Sequence, residues 1–254
     1  MIVKFLNKMM KPLGFHLAAN QSNQLILAHD IIADASFMKL YNQCKPYTMT
    51  SIERMYSLYQ SLNYIFQNHI DGDFVECGVW KGGSSMMMAL YLKEKGMINR
   101  KVYLYDTFEG MNAPSELDKT FSGENAKELL DIQDKADNDS IWCYSSLDEV
   151  RHNLLSTQYL PENLIFIKGK VEDTLNDHLP GQLALLRLDT DWYESTKKEL
   201  NYLYPLLNQK GVLIIDDFGH WEGAKKAVIE YFDENKQHPL LHRIDNTGRV
   251  MIKN

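Results

Sequence analysis

Carboxylates end or follow each of five strand-like runs of this sequence. Glu76 sits just before Gly78, and Asp106 closes the second run. Glu172 and Asp173 follow the third, Asp189 ends the fourth with Asp191 after it, and Asp216-Asp217 end the fifth. A single acid at such a place is as well explained by capping of the next helix. The same placement five times over asks for a ligand. In an open α/β sheet, ligands lie beyond the carboxyl ends of the strands. An acid ending the second strand can accept both hydroxyls of a ribose, the role given to Asp106. Asp173 is placed for an adenine amino group, with Glu172 as competitor. Asp189, Asp216 and Asp217 form the second set. Strand neighbours lie about 5 Å apart, so these three carboxylates converge if the fourth and fifth strands pair. Left alone they repel, and some stay protonated. A hard divalent cation, Mg²⁺ with Mn²⁺ or Ca²⁺ as substitutes, removes the conflict. It also lowers the pKa of a hydroxyl it binds. Arg187, two residues before Asp189, is the rival neutraliser, but one arginine offsets one charge of three. Capping of the following helix is the alternative for Asp216 and Asp217. His220 is either a general base or a structural ring beside Trp221.

The glycines narrow the cofactor. Glu76, Gly78 and Gly82 read E-x-G-x-x-x-G between a strand and a helix. A dinucleotide site wants G-x-G-x-x-G, with amides packed around a pyrophosphate. A looser turn beside an acid suits a cofactor with an amino-acid tail and no phosphate, such as S-adenosylmethionine. Gly78 permits close backbone approach, and Glu76 either orients the turn or reaches the cofactor's ammonium. Trp80 and Phe108 offer aromatic faces to a sulfonium. Ser84 and Thr107 complete the expected cofactor set, which also includes Asp189.

These residues need elements to hold them. Helical periodicity runs over 24–41 and over 51–69, with Thr50 as expected N-cap and Glu53 three residues on. Strands then alternate with helices: strands at 73–79, 101–106, 164–168, 183–189 and 212–217, helices at 83–94, 146–157, 193–207 and 221–235. A short helix is expected near 125–132. Residues 242–245 and 249–252 flank Asn246-Thr247-Gly248, a hairpin turn. This order predicts an α/β fold: a doubly wound, mostly parallel, seven-stranded sheet with a C-terminal antiparallel hairpin and an N-terminal helical extension. Residues 1–70 are assigned to the extension or lid, and 71–254 to the cofactor-binding domain. The polar stretch 107–145 exceeds ordinary loop length and reads as a second lid.

Composition excludes several classes. The chain has 254 residues, 44% hydrophobic and 11% aromatic, enough for one sizeable core. A net charge of −7 without a basic run argues against a nucleic-acid partner. Cys44, Cys77 and Cys143 lack C-x-x-C spacing, so neither zinc nor a disulfide framework is expected, and a reducing cytoplasm is the default. Lys4, Lys8 and Lys11 interrupt the apolar N-terminus, and no run approaches the ~20 apolar residues of a membrane span. Phe5, Leu6, Met9 and Leu13 fall at helical spacing, for an arm that packs on protein or, alternatively, lies on a membrane surface.

GDFVECGVWKGGSSMMMALYL, VYLYDTFEGM, LALLRLDTDWYESTKKELNYLYPLL and GVLIIDDFGHWEGAKKAVIEYF together resemble the macrocin O-methyltransferase family of bacterial sugar methyltransferases. TMTSIERMYSLYQSLNYI resembles that family's helical entry segment. The resemblance covers roughly 45–253. It implies S-adenosylmethionine and Mg²⁺, methylation of a sugar hydroxyl, ligation by Asp189, Asp216 and Asp217, and Asp189 as proton acceptor. It also implies closure over the cofactor by the segment around Thr48-Met49, and a homo-oligomer. The expected function is therefore a Mg²⁺-dependent O-methyltransferase acting on a sugar-containing small molecule. The rivals are a metal-independent methyltransferase with His220 or Asp189 as base, and a cofactor-binding protein without turnover. A nicotinamide dehydrogenase is disfavoured by the missing pyrophosphate turn.

Overall fold

The computed structural model describes residues 29–137 and 140–254. The apolar N-terminal arm and residues 24–28 of the first expected helix lie outside the described residues. The chain divides into two compact units, Met1–Met38 and Lys39–Asn254. In the first lies α1 (His29–Ala33) and the start of α2 (Ala35–Cys44). The single helix expected over this stretch is broken at Asp34, whose carboxylate accepts the Phe37 amide and opens the second helix as a cap.

The second unit is built on one sheet. Its strands are β1 (Asp73–Cys77), β2 (Val102–Asp106), β3 (Leu164–Lys168), β4 (Leu183–Leu188), β5 (Leu207–Ile215), β6 (His242–Arg243) and β7 (Arg249–Ile252). They lie in the order β3-β2-β1-β4-β5-β7-β6. The first five are parallel, and β7 pairs antiparallel with both β5 and β6. This is the expected seven-stranded α/β sheet with its terminal hairpin. Every residue of β4 is buried, so it reads LALLRL rather than alternating. The charge at Arg187 in that run is the anomaly that marks the site.

The helices are α3 (Ile52–Gln67), α4 (Gly83–Glu94), α5 (Ala126–Ile132), α6 (Leu147–Ser156), α7 (Val171–Thr174), α8 (Tyr193–Leu203) and α9 (Glu222–Glu234). One core lies between the sheet and α8/α9: Val75, Cys77, Leu186, Leu188, Leu213 and Ile215 meet Leu200, Leu203, Val228 and Phe232. α4 is buried from Gly83 to Leu92, which is why its sequence is apolar all round.

Three expected boundaries are corrected. Ser51, not Thr50, caps α3: its hydroxyl accepts the Arg54 amide at 3.2 Å, while Thr50 is tied to Thr48 through its amide and hydroxyl. α8 stops at Leu203, because Pro205 in the 3-10 turn Tyr204–Leu206 cannot continue the helical ladder. β5 therefore starts at Leu207, earlier than expected. The described part of the expected second lid, 107–145, is tied to its neighbours at several points. Buried Asp118 accepts the Tyr193 amide at 2.8 Å and the Ser115 amide and hydroxyl. Thr120 bridges to Trp221, and Trp192 and Trp221 pack with Ala126 and Leu130 beneath the segment.

Candidate active site

The sheet reverses its winding between β1 and β4, which opens a crevice at their carboxyl ends. Gly78 stands there with φ +80°, and a Cβ on it would lie 1.9 Å from the Asp189 carbonyl oxygen. Only glycine lets the two strand ends pass this closely. The cleft is lined by Glu76, Gly78, Trp80, Ser84, Asp106 and Thr107 on one side and by Asp189, Asp191, Asp216 and Asp217 on the other. Tyr47, Thr48, Met49, Thr50 and Arg54 also line it, from the turn before α3 and from α3 itself. That turn presses on the start of α4: a Cβ on Gly83 would meet Thr48 Cβ at 2.6 Å.

On the β1/β2 side, Asp106 is held by backbone. Its Oδ2 accepts the amides of Val79 at 2.6 Å and Trp80 at 3.3 Å, and its Oδ1 accepts the Phe108 amide at 2.6 Å. Trp80 and Phe108 both adopt left-handed backbone, φ +47° and +51°. That conformation is strained for a bulky side chain and turns both amides toward the carboxylate. Burial raises the Asp106 pKa, and these backbone hydrogen bonds oppose the rise. Oδ1 also accepts the Thr107 hydroxyl at 3.4 Å, a contact long enough to yield to a ribose hydroxyl.

The β4/β5 side is governed by charge. Arg187 is the register partner of Glu76 on β1, and its neighbour Ile214 on β5 precedes Asp216 by two residues, on the same face. Its guanidinium thus reaches Glu76 at 2.8 Å, Asp189 at 2.6 Å and Asp216 at 2.5 Å. The second oxygen of Glu76 accepts the Ser85 hydroxyl. Glu76 therefore orients the turn and α4, the first of its two expected roles. Arg54 donates to the other oxygen of Asp216, and its Nε lies 3.0 Å from Asp245. Five carboxylates (Glu76, Asp189, Asp191, Asp216, Asp217) thus face two guanidiniums. Burial pushes Glu76 and Asp191 up to about 7 and Asp216 up to about 6. Asp217 is driven well above the usual carboxylate range by burial and then by Asp191 and Asp216. Single oxygens of Asp189, Asp191 and Asp217 lie within 4.8 Å of one another, and Asp217 Oδ2 is buried without a hydrogen-bond partner.

Of the residues expected at the site, Glu76, Gly78, Trp80, Ser84, Asp106, Thr107, Asp189, Thr48 and Met49 line the cleft, as do Asp216 and Asp217. Phe108 contributes its amide and packs its ring toward Phe166. Asp173 is exposed and outside the lining, while Glu172 reaches the lining residue Ser195 at 2.7 Å. His220 also lies outside the lining, its ring edge-on to Trp221 at 4.8 Å, with its pKa lowered by burial and then by Arg54. That is the structural arrangement of the two considered for it. Asp216 carries both arginines, and Asp191 takes the third place in the cluster of close carboxylates. Sequence reasoning missed Arg54, and it noted Asp191 only as an acid after the fourth strand. Arg54 had one signal: it stands three residues after the capping serine, where a capping box would have an acid.

The residues fit both absent groups. For the nucleoside, Asp106 offers a preorganised carboxylate, Trp80 Nε1 a buried unpartnered donor, and Glu172 Oε2 a buried unpartnered acceptor. For a hard cation, Asp189, Asp191 and Asp217 supply oxygen donors whose mutual repulsion no nearby base fully offsets.

The Macrocin-O-methyltransferase (TylF) family profile matches residues 10–253. A demethyldecarbamoylnovobiocin O-methyltransferase of Streptomyces niveus is 33% identical over 185 residues, 73% of this chain and 67% of that protein. An 8-demethyl-8-(2,3-dimethoxy-alpha-L-rhamnosyl)-tetracenomycin-C 4'-O-methyltransferase of Streptomyces olivaceus is 32% identical over 206 residues, 80% of this chain and 74% of that one. The solved structure of the O-methyltransferase NovP superposes with a TM-score of 0.71 at 30% identity, covering 82% of each chain. No helix among the described residues is long and apolar enough to cross a membrane.

Proposed function

Since this chain belongs to the macrocin O-methyltransferase family, we propose that it methylates a hydroxyl of a sugar within a glycosylated or nucleotide-linked small molecule, using S-adenosylmethionine and Mg²⁺. The observation that carries the reading is the pairing, in one cleft, of a backbone-held Asp106 with the under-neutralised acids Asp189, Asp191 and Asp217. When bound, the cofactor supplies an electrophilic methyl and the cation polarises the acceptor hydroxyl.

The protein's own part is positioning and proton transfer. Asp106 accepts the ribose hydroxyls, and the rigid turn of Gly78, Val79 and Trp80 fixes the cofactor's tail end. Asp189 is the proton acceptor, and Arg187, on its Oδ2, holds that side chain in place. Burial raises the Asp189 pKa, which makes it a better base than an exposed aspartate. Asp217 and Asp189 hold the cation, with the third oxygen from Asp191 or, after release by an arginine, from Asp216. Thr48 and Met49 close over the acceptor. The relatives' substrates, demethyldecarbamoylnovobiocin and a rhamnosyl tetracenomycin C, support a sugar hydroxyl as acceptor. A cytoplasmic homo-oligomer completes the reading, and sedimentation of the purified protein tests the oligomer.

The test of function is methyl transfer from labelled S-adenosylmethionine to a panel of deoxysugar glycosides and nucleotide-sugars, followed by mass spectrometry. Label on a sugar oxygen, lost with excess EDTA and restored by Mg²⁺, is expected. Transfer that is complete in EDTA removes the cation from the mechanism.

A further inference from the structure

Arg54 occupies an unusual place. It belongs to the second unit's α3, at the first turn after the segment that carries Thr48, Met49 and Thr50 along the cleft wall. Its guanidinium contacts Asp216 from β5 and Asp245 from the turn before β7. Asp245 is itself fixed: Oδ1 accepts the Thr247 and Gly248 amides at 2.9 and 2.7 Å, and Oδ2 accepts the Ser51 hydroxyl at 2.7 Å. The aliphatic stem passes over Gly248, where an added Cβ would stand 3.1 Å from Arg54 Cγ and Cδ. The Arg54 charge also acts on Asp189 and Asp217. Asp216 is therefore bracketed, with Arg187 on Oδ1 and Arg54 on Oδ2. The two arginines differ in one respect. Arg187 lies within the sheet, 3% exposed, with three carboxylates around it, whereas Arg54 enters from a helix at the cleft wall, 18% exposed.

We propose that Arg54 is an internal stand-in for the divalent cation: it neutralises Asp216 while the acid cluster holds no metal, and it must give up that contact when metal takes the carboxylate. This rests on the metal reading above. A positive charge beside a cation site opposes the cation, and a guanidinium bonded to a ligand oxygen competes for it directly. Arg54 therefore sets the metal affinity below what the acids alone would give. Because Ser51 and Arg54 share Asp245, release of Asp216 is felt at the N-terminus of α3 and in the acceptor-closing turn before it.

The test uses the full chain and Mn²⁺ as probe, read by electron paramagnetic resonance of free Mn²⁺ and by the metal-induced shift in melting temperature at pH 8. Arg54→Gln is expected to bind Mn²⁺ about tenfold more tightly than the wild type, the order expected for removing a nearby unit charge. It is also expected to melt lower without metal, and to gain more from Mn²⁺ than the wild type gains. Arg54→Met, which keeps the stem over Gly248, must show the same tightening and replaces the glutamine variant if that does not fold. A wild type that binds Mn²⁺ alongside folded variants that bind it equally or more weakly would overturn the inference and leave the metal reading intact. Absence of Mn²⁺ binding in all three proteins would overturn both.

Discussion

The two edges of the cleft solve opposite problems. At the ends of β1 and β2, Asp106 is held by three backbone amides from two turns, and the turn needs nothing further to keep its shape. At the ends of β4 and β5, side chains do the holding. Arg187 and Arg54 tie down Glu76, Asp189 and Asp216, yet Asp217 keeps a buried oxygen without a hydrogen-bond partner and burial pushes Asp191 up to about 7. The Asp106 carboxylate is fully held as it stands, and the second edge gains most from an added cation. The physics of the two differs as well. Backbone dipoles fixed by a turn cost no rearrangement when a ligand arrives, whereas a network of buried ion pairs is energetically poised between partners.

Removing the positive partner from the second edge should show the largest effect. With the acceptor in hand, excess EDTA should reduce turnover by about 10³-fold or more, as should Asp189→Asn, since loss of a base alone is worth about 10²–10⁴-fold. Asp216→Asn and Asp217→Asn should each retain more activity than Asp189→Asn, because neither is proposed to take the proton. Calorimetry should show S-adenosylhomocysteine binding within about threefold of wild type in all three variants. Loss of cofactor binding in any of them would erase the division between the edges.

The complementary experiment strikes the first edge. Asp106→Ala removes two charge-assisted hydrogen bonds to a ribose, each worth about 1.5–3 kcal/mol. S-adenosylhomocysteine affinity should fall by about 10²-fold or more, while Mn²⁺ affinity stays as in the wild type. Equal cofactor binding by the variant would take Asp106 out of the site.

What the sequence made legible follows the same division. Gly78, Asp106 and Asp189 were readable because strand ends and glycine turns are local signals, and the sheet order turns strand ends into neighbours. The five parallel strands and the hairpin were readable for the same reason. Arg54 was not, because its partners Asp216 and Asp245 lie far along the chain and no local pattern announces them. Asp191 was read only as an acid after a strand. Its left-handed backbone, φ +68°, turns it back toward Asp217, and nothing in its neighbours requires that conformation. Asp173 and Glu172 mark where such reading stops. Adjacent residues at a helix start point in different directions, and periodicity does not choose between them.

Behind the cleft, Glu199 tests whether the rigidity of the Asp189 edge extends into the core. This carboxyl on α8 is fully buried, accepts the Thr190 hydroxyl at 2.9 Å, and is pushed well above the usual range by burial. It therefore holds its proton more tightly in the folded protein than in the unfolded chain, where it ionises above about pH 4.3. The native state binds the extra proton, so this group's contribution to stability falls as pH rises from the unfolded pKa toward the folded one. Glu199→Gln keeps a similar shape and no titratable proton. Its stability relative to wild type should rise by at least about 1 kcal/mol between pH 5 and pH 8. Denaturant melts at the two pH values measure this, and a difference that does not change with pH would mean Glu199 is ionised in the fold.

The smallest effect separates two neighbours on α7. Asp173 is exposed and outside the cleft lining, whereas Glu172 turns inward to Ser195 and leaves Oε2 buried and unpartnered. An acceptor for an adenine amino group must be buried and free, and only Glu172 meets both conditions. Asp173→Ala should therefore leave S-adenosylhomocysteine affinity within about twofold. Glu172→Ala should weaken it about three- to tenfold, the range of one hydrogen bond worth about 0.5–1.5 kcal/mol. A purine-riboside cofactor, with hydrogen in place of the amino group, should bind both variants alike, because it has no donor at that position for Glu172→Ala to orphan. The reverse order of the two alanine variants would place the adenine over Asp173 and move the first edge of the cleft outward.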